Sequence, residues 1–268
     1  MNLSIHRRRH LALLIFALLL SMLFSHALMA AHALPEFSAK YAVQKYGVKL
    51  AQAHYQLNHT ESGYKFTHHT KLSGFANLFS NDTVSAESLI DEVGDNLLLT
   101  HHKYTQTGKK NHRDEEFSIL WNTYKNTLKG KITGVVKNKK IQLETDAEVW
   151  EALSFQIPLM IEANEATKEY SYKTLIKGKI ETYNFVLTSS KKISFAGKQY
   201  QSLQLIHRDP KKKRALHIWI IPKLHNIPVI IENYRKEKEH SRMQLESIQF
   251  NNQEILTDQL AEDVEDDY

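Results

Sequence analysis

Apolar and polar residues alternate along most of this chain, and this alternation limits its fold more than any other feature. In "FSAKYAVQK" at 37–45 and "VKLAQAHYQL" at 48–57 the apolar residues recur at nearly every second position, and Gly47 lies between the two segments. Successive side chains of a β-strand point to opposite faces, so this period predicts strands with one buried face. A glycine between two such segments predicts a hairpin.

The same pattern continues to residue 250 in roughly fourteen strand-like segments separated by turn residues. Glycines are expected at six of the turns: Gly47, Gly63, Gly94, Gly108, Gly178 and Gly197. Short turns favour meander connections, and curvature limits the exposed strand edges. We therefore predict a mainly β fold, a strongly curved antiparallel sheet or partly open barrel, in one domain over 34–250 with halves at 34–145 and 165–250.

One segment between these halves breaks the alternation. In "DAEVWEALSFQIPLMIEANEATKE" the apolar residues approximate helical spacing. We predict a helix over 147–156, a break near Pro158, which lacks a backbone N–H, and a second short piece that ends near Ala163.

The first 33 residues have the pattern of a cleavable export signal. Three arginines at 7–9 precede an apolar run over 11–24, and small residues follow. The run is shorter than the roughly 20 residues that a spanning helix needs, so we expect no permanent membrane span. We expect cleavage after Ala33, with Ala27 and Ala30 as alternatives. This signal predicts a periplasmic protein.

The remaining composition excludes several classes of site. Removing the three signal arginines from 35 basic residues leaves 32, against 30 acidic residues, so net charge says little about partners. The chain contains no cysteine, which excludes a disulfide, a thiol nucleophile, a thiolate metal site and a lipoprotein anchor. The acidic tail at 251–268 is predicted to be disordered.

Catalytic and cofactor motifs are missing from the sequence. We find no G-x-S-x-G, His-Glu-x-x-His or phosphate-binding loop. We therefore assign no catalytic residue and expect no cofactor, no metal and no nucleic-acid partner. An envelope hydrolase that uses carboxylates such as Asp82 and Asp114 stays open as an alternative function.

Histidines and a basic turn were considered as binding groups. The adjacent pairs at 68–69 and 101–102 should point to opposite faces of their strands and so cannot chelate one ion. His207 and His217 flank the turn "DPKKKR", where a hairpin would bring them closer together. Asp209 and Pro210 indicate a solvated hairpin tip. If this tip binds a ligand, anionic head groups suit the expected compartment.

An apolar island, "KLSGFANLFSNDTVSAES", interrupts the polar strands at 71–88. It is either a structural plug for the curved sheet or a cover for an amphipathic, lipid-like ligand. The predicted ligand-binding residues come from this island and from the segment between the halves: Leu72, Phe75, Leu78, Phe79, Trp150, Leu153 and Phe155. The main function hypothesis is non-catalytic binding or envelope maintenance, and a protein-interaction scaffold is an alternative.

The order of several segments resembles a known family. "YAVQKYGVKLAQAHYQL", "GYKFTHHTKLSGFANLFSNDTVSAES", "DEEFSILWN", "ALSFQIPLM" and "KKRALHIWIIPKLHNIPVIIENY" are similar to bacterial exported proteins of domain-of-unknown-function family 3108. The likeness runs from about residue 41 to 234. It implies a periplasmic, strand-rich domain without an established reaction.

Overall fold

The fold is described from a computed structural model, which covers residues 34–73, 82–94, 96–108, 113–124, 127–251 and 253–256. In this part of the chain no helix has the length and apolar character needed to cross a bilayer. The predicted signal at 1–33 lies outside the described residues, so its cleavage stays a prediction.

Sixteen strands and two short helices lie in the residues that the structure describes. The first half contains β1 (Phe37–Lys45), β2 (Val48–His59), β3 (Gly63–Leu72), β4 (Thr83–Val93), β5 (Asn96–Gln106), β6 (Glu115–Tyr124), β7 (Thr127–Val136) and β8 (Lys139–Thr145). The second half contains β9 (Val149–Glu151), α1 (Gln156–Glu162), β10 (Glu169–Ile176), β11 (Lys179–Phe195), β12 (Lys198–Asp209), β13 (Arg214–Ile221), a 3-10 helix (Pro222–Leu224), β14 (Ile227–Arg235), β15 (Lys238–Phe250) and β16 (Gln253–Leu256).

Both halves are meanders, and they join into one sheet. The strand order runs from β8 back to β1, then from β15 back to β9, while β16 pairs with β15. Pairing of β1 with β15 connects the meanders, and the parallel β9–β10 pair ends the path. The sheet is nearly closed, which confirms the predicted fold class.

The inner face of the sheet carries the core. We call inner the face with Tyr41, Tyr55, Phe66, Phe185 and Ile218, which are all at most 5% exposed. Cross-strand register places these residues on one side because alternate residues of each strand face the same way. Burying each such side chain stabilises the fold by roughly 1.5–3 kcal/mol.

The predicted helix over 147–156 is wrong. Val149–Glu151 is strand β9, a turn follows, and the helix begins at Gln156. All three residues of β9 are buried, so the strand shows no alternation and its apolar residues imitate helical spacing. Pro158 lies in the first turn of α1, where its missing N–H breaks no helical hydrogen bond.

Other local predictions are confirmed or refined. All six predicted turn glycines have a positive φ. The segment that was predicted as a disordered tail begins with strand β16 at Gln253–Leu256, and residues 257–268 lie outside the described residues.

Candidate functional site

The predicted ligand-binding residues fall in different places. Trp150 and Phe155 are each 2% exposed, and Leu153 is half-buried in the turn between them. Leu72 ends β3 in the other meander, where it pairs with Ala51. The remaining three predicted residues, Phe75, Leu78 and Phe79, lie outside the described residues, so the set as a whole stays a prediction.

The two histidines beside the hairpin tip lie on opposite faces of the sheet. His207 pairs with Leu216, whereas His217 pairs with Ile206, so the two histidines face opposite sides of the sheet. The idea that the hairpin brings them together is therefore wrong. Within the described ranges, no three acidic or histidine side chains are arranged to hold a metal ion.

A serine, a histidine and a glutamate meet in the interior, but their order differs from that of a hydrolase triad. Ser88 Oγ lies 3.0 Å from His102 Nδ1 and donates to Glu151 Oε1 at 3.2 Å. In a triad the histidine stands between the other two groups. All three residues are at most 5% exposed, so no substrate reaches them and their role is structural.

An aromatic cluster on the inner face extends from the core toward one end of β11 and β12. Phe155 stacks on Phe185 with ring centroids 5.3 Å apart, and His207 contacts Phe185 at 5.7 Å. His207 also stacks on Tyr183 at 4.4 Å. Phe155 and Phe185 are buried, whereas Tyr183 and His207 are half-buried and reach a surface cleft.

A hydrogen bond fixes the tautomer of His207 in this cluster. His207 Nδ1 lies 3.1 Å from the carbonyl oxygen of Asn184, and a carbonyl only accepts, so Nδ1 carries the proton. Burial is the main cause that raises the pKa of Tyr183, and nearby Glu181 adds to it. Tyr183 therefore stays neutral and presents an uncharged ring to the cleft.

The "DPKKKR" segment forms the tip of the β12–β13 hairpin, as predicted. Asp209 accepts a hydrogen bond from the backbone N–H of Lys212 at 3.0 Å. Lys212 Nζ lies 2.9 Å from Glu181 and 3.1 Å from Asp209. The backbone hydrogen bond is the largest cause that lowers the pKa of Asp209, while hydrogen bonds to Glu181 and Asp209 raise the pKa of Lys212. These contacts fold the tip over β11.

The surface cleft at this end, which we call the inner cleft, has a volume of about 680 Å³. Tyr183 and His207 line it together with the apolar side chains of Ile176 and Leu216. Its basic residues are Lys177, Lys179, Lys212, Arg214 and Arg235. This volume lies within the range of small-molecule sites, roughly 300–1,000 Å³.

The charge of the inner cleft is positive. Glu181 and Asp209 are the acidic residues among its described lining, and Lys212 pairs with both. Four other cations therefore face the cleft. Sequence reasoning found only the hairpin tip and His207, because the other lining residues come from separate strands and turns that only the fold brings together.

A second cleft of about 660 Å³ lies beside the predicted residue Trp150. Glu148 and Glu162 both line it. Burial raises the pKa of each carboxyl, and the charge of Glu162 raises that of Glu148 further. Tyr172 donates its hydroxyl to Glu162 at 3.2 Å.

Asp114, which the sequence analysis considered for a hydrolase, does not line this cleft. Its carboxylate accepts the Gln106 N–H at 2.8 Å and so caps a loop.

Solved structures resemble this fold at low sequence identity. A beta-barrel-like protein of domain of unknown function DUF1849 from Brucella abortus aligns with a TM-score of 0.56 and 11% identity over 82% of this chain and 99% of its own. A protein with a YmcC-like fold from Bacteroides fragilis aligns with a TM-score of 0.36 and 10% identity over 81% and 97%. The first likeness supports the barrel-like fold alone.

Sequence comparison identifies the family. No curated protein sequence matches the chain significantly. The family model described as protein of unknown function DUF3108 matches residues 36–237, which include both meanders up to the β14–β15 turn. This range contains the segments whose order resembled the same family, so the prediction from sequence is confirmed. The chain belongs to the DUF3108 family.

Proposed function

We propose that this protein is an exported, periplasmic, non-catalytic binding component that takes an amphiphile with an anionic head group in the inner cleft. One observation carries the proposal: the stacked rings of Tyr183 and His207 lie in a cleft whose lining has an excess of cations. Apolar and aromatic lining with a few convergent charged groups is typical of small-molecule sites.

Each part of the cleft suits one part of such a ligand. The rings of Tyr183 and His207 and the apolar side chains of Ile176 and Leu216 line the cleft, so a hydrocarbon chain would replace water against them, while the buried Phe185 packs behind His207. Lysine and arginine side chains bind phosphate and carboxylate groups through charge-assisted hydrogen bonds. The export signal predicted at 1–33 would bring the protein to a compartment bounded by two membranes.

Three probes test the proposal in isothermal titration calorimetry. Dodecyl phosphate has both the chain and the anion, dodecyl maltoside has an uncharged head, and inorganic phosphate has no chain. We expect dodecyl phosphate to bind at least about tenfold more tightly than either of the others, because it alone satisfies both parts of the cleft. Equal binding of the two detergents would contradict the role of the cations.

A pair of substitutions locates the binding. Lys177→Gln with Lys179→Gln removes two cations that line the inner cleft and should weaken dodecyl phosphate binding about tenfold. Lys131→Gln with Lys192→Gln makes the same charge change at exposed positions outside the cleft and should leave the affinity unchanged. Equal loss in both variants would mean that net charge, rather than the cleft, determines binding.

Carboxylate-based hydrolysis is a second candidate function, favoured by the raised pKa values of Glu148 and Glu162 in one cleft. Paired carboxyls of this kind act as general acid and base in glycoside hydrolysis. The test is hydrolysis of envelope glycans by the wild type and by Glu148→Gln and Glu162→Gln. Activity that both variants abolish supports this function, and activity that survives in both removes it.

A further inference from the structure

Another cavity lies at the ends of the same hairpins and shares part of its lining with the inner cleft. It has a volume of about 820 Å³ and is lined by residues of β12, β13 and β14 and of the turns between β12 and β13 and between β14 and β15. We call it the outer pocket. His217 lines it and faces away from Leu216 of the inner cleft, whereas Tyr234 lines both cavities.

A row of three polar side chains on neighbouring strands supports the floor of the outer pocket. His217, Glu232 and Arg242 are direct neighbours on three consecutive strands. Glu232 is 7% exposed, and its carboxylate lies 3.4 Å from Arg242 Nη1 and 3.8 Å from His217 Nδ1. Tyr234 donates its hydroxyl to the same carboxylate at 3.3 Å. These partners stabilise a buried negative charge that would otherwise be costly.

These contacts hold two stacked, uncharged rings in the floor of the outer pocket. Tyr234 and His217 stack with ring centroids 4.3 Å apart and an angle of 30° between the planes. Because the Tyr234 hydroxyl is used by Glu232, the ring is held in place beside the pocket. Burial is the main cause that lowers the pKa of His217, with Arg208 adding to it, so the imidazole is neutral near pH 7.

The rim of the outer pocket is basic. Arg208, Lys213, Arg214 and Lys236 line it, against Asp209 and Glu237. Asp209 is already paired with Lys212, which does not line this pocket. Lys213 and Lys236 lie on neighbouring turns, joined by a backbone hydrogen bond of 2.8 Å from the Lys236 N–H to the Lys213 carbonyl. This bond uses backbone atoms only, so the ammonium groups of Lys213 and Lys236 take no part in it.

From the stacked floor and the basic rim we infer that the outer pocket is a second binding site, for a saccharide phosphate. The carbon face of a sugar ring packs on flat aromatic surface, and the phosphate takes charge-assisted hydrogen bonds from the rim. The two sites meet at the hairpin ends, where they share the lining residues Asp209, Arg214, Ala215 and Tyr234. His217, Lys213 and Lys236 line the outer pocket and not the inner cleft, so this inference does not depend on the proposed function of the inner cleft.

Calorimetry with four small probes tests the chemistry of the outer pocket. Glucose 1-phosphate has the ring and the anion, glucose lacks the anion, and inorganic phosphate lacks the ring. We expect glucose 1-phosphate to bind at least about tenfold more tightly than either. Equal affinity for inorganic phosphate would overturn the inference, because the floor would then contribute nothing. Tighter binding of adenosine monophosphate would also overturn it in favour of a nucleotide site.

Paired variants separate this site from the inner cleft. Lys213→Gln with Lys236→Gln should weaken glucose 1-phosphate binding about tenfold, whereas Lys177→Gln with Lys179→Gln should leave it unchanged. The opposite result would overturn the outer pocket while leaving the inner cleft in place.

Substitution of the floor gives an independent readout. Tyr234→Phe keeps the ring and should retain the affinity, whereas Tyr234→Ala should lose about tenfold, with circular dichroism used to check that each variant is folded. Full affinity in a folded Tyr234→Ala protein would overturn the stacking. Phosphatidylcholine vesicles that display the same sugar phosphate on a lipid chain distinguish a membrane-bound saccharide from a free one. Retention of the protein by these vesicles, lost in the lysine variant, assigns the membrane source, and binding of the free probe alone assigns the soluble source.

Discussion

The hydroxyl of Ser88 in β4 donates to the carboxylate of Glu151 in β9 across 3.2 Å, and this contact links the two meanders through the interior. Glu151 Oε2 accepts the Leu153 N–H at 2.7 Å, and Oε1 also accepts the N–H of Ser154. One buried carboxylate therefore both shapes the turn before α1 and holds the last strand of the sheet path against the first half.

Replacing this carboxylate should destabilise the whole fold. Glu151→Ala leaves two backbone N–H groups and the Ser88 hydroxyl without their acceptor, which should lower the free energy of unfolding by about 3 kcal/mol. Urea denaturation measures this change. Glu144→Ala removes an exposed carboxylate from β8 as the control and should change the free energy by less than about 0.5 kcal/mol. Similar losses in the two variants would contradict the structural role of Glu151.

Acid should weaken the fold through His68. Burial lowers the pKa of this histidine from its usual 6.5 to about 4, with His69 adding to the shift. As pH falls, the unfolded chain binds a proton at this histidine near pH 6.5, whereas the folded protein binds it only near pH 4. The free energy of unfolding therefore falls as pH falls through this window. Between pH 7 and pH 5 the loss from this one group should be about 2 kcal/mol.

The variant His68→Gln isolates this effect. It removes the titrating group, so its free energy of unfolding should fall less steeply than that of the wild type between pH 7 and pH 5. Burial also raises the pKa of Glu115, which acts in the opposite sense, and comparison of the two proteins cancels that contribution. Parallel pH profiles would show that His68 does not titrate as stated.

Replacing glycine by alanine should destabilise the fold more at Gly134 than at Gly47. A Cβ at Gly134 would lie 2.2 Å from the Glu116 carbonyl oxygen and 2.5 Å from Phe117 Cα, so the β6–β7 pair would have to separate. Gly134→Ala should cost about 3 kcal/mol. At Gly47 a Cβ meets nothing within 4 Å, and Gly47→Ala should cost about 1 kcal/mol for its φ of +78° alone. Thermal melts of the two variants provide the comparison, and a reversed order would contradict the described packing.

The apolar island predicted from sequence offers a fourth test. If it covers a bound amphiphile, Phe75→Ser with Phe79→Ser should abolish dodecyl phosphate binding and leave the melting temperature unchanged. Leu120→Ser is the control, because Leu120 is 65% exposed and its loss removes no burial. A large fall in melting temperature in the double variant alone would instead identify the island as a structural plug.

Alternation of apolar and polar residues predicted most of the fold, because a strand with one buried face and one exposed face has an apolar residue at every second position. It failed at Val149–Glu151, where both faces are buried and the period disappears. Alternation could not predict the inner cleft, for another reason. Lys177, Tyr183 and Leu216 belong to three separate segments, and only strand register shows that they face one space. The buried contact between Ser88 and Glu151 likewise joins residues 63 positions apart and leaves no local pattern.

Native mass spectrometry of the protein purified gently from a bacterial periplasm tests the central claim most directly. We predict that the wild type carries one acidic amphiphile per chain, which organic extraction then identifies, and that Lys177→Gln with Lys179→Gln loses it. A wild-type protein with the bare mass of its chain and an extract free of amphiphile would contradict the proposed function.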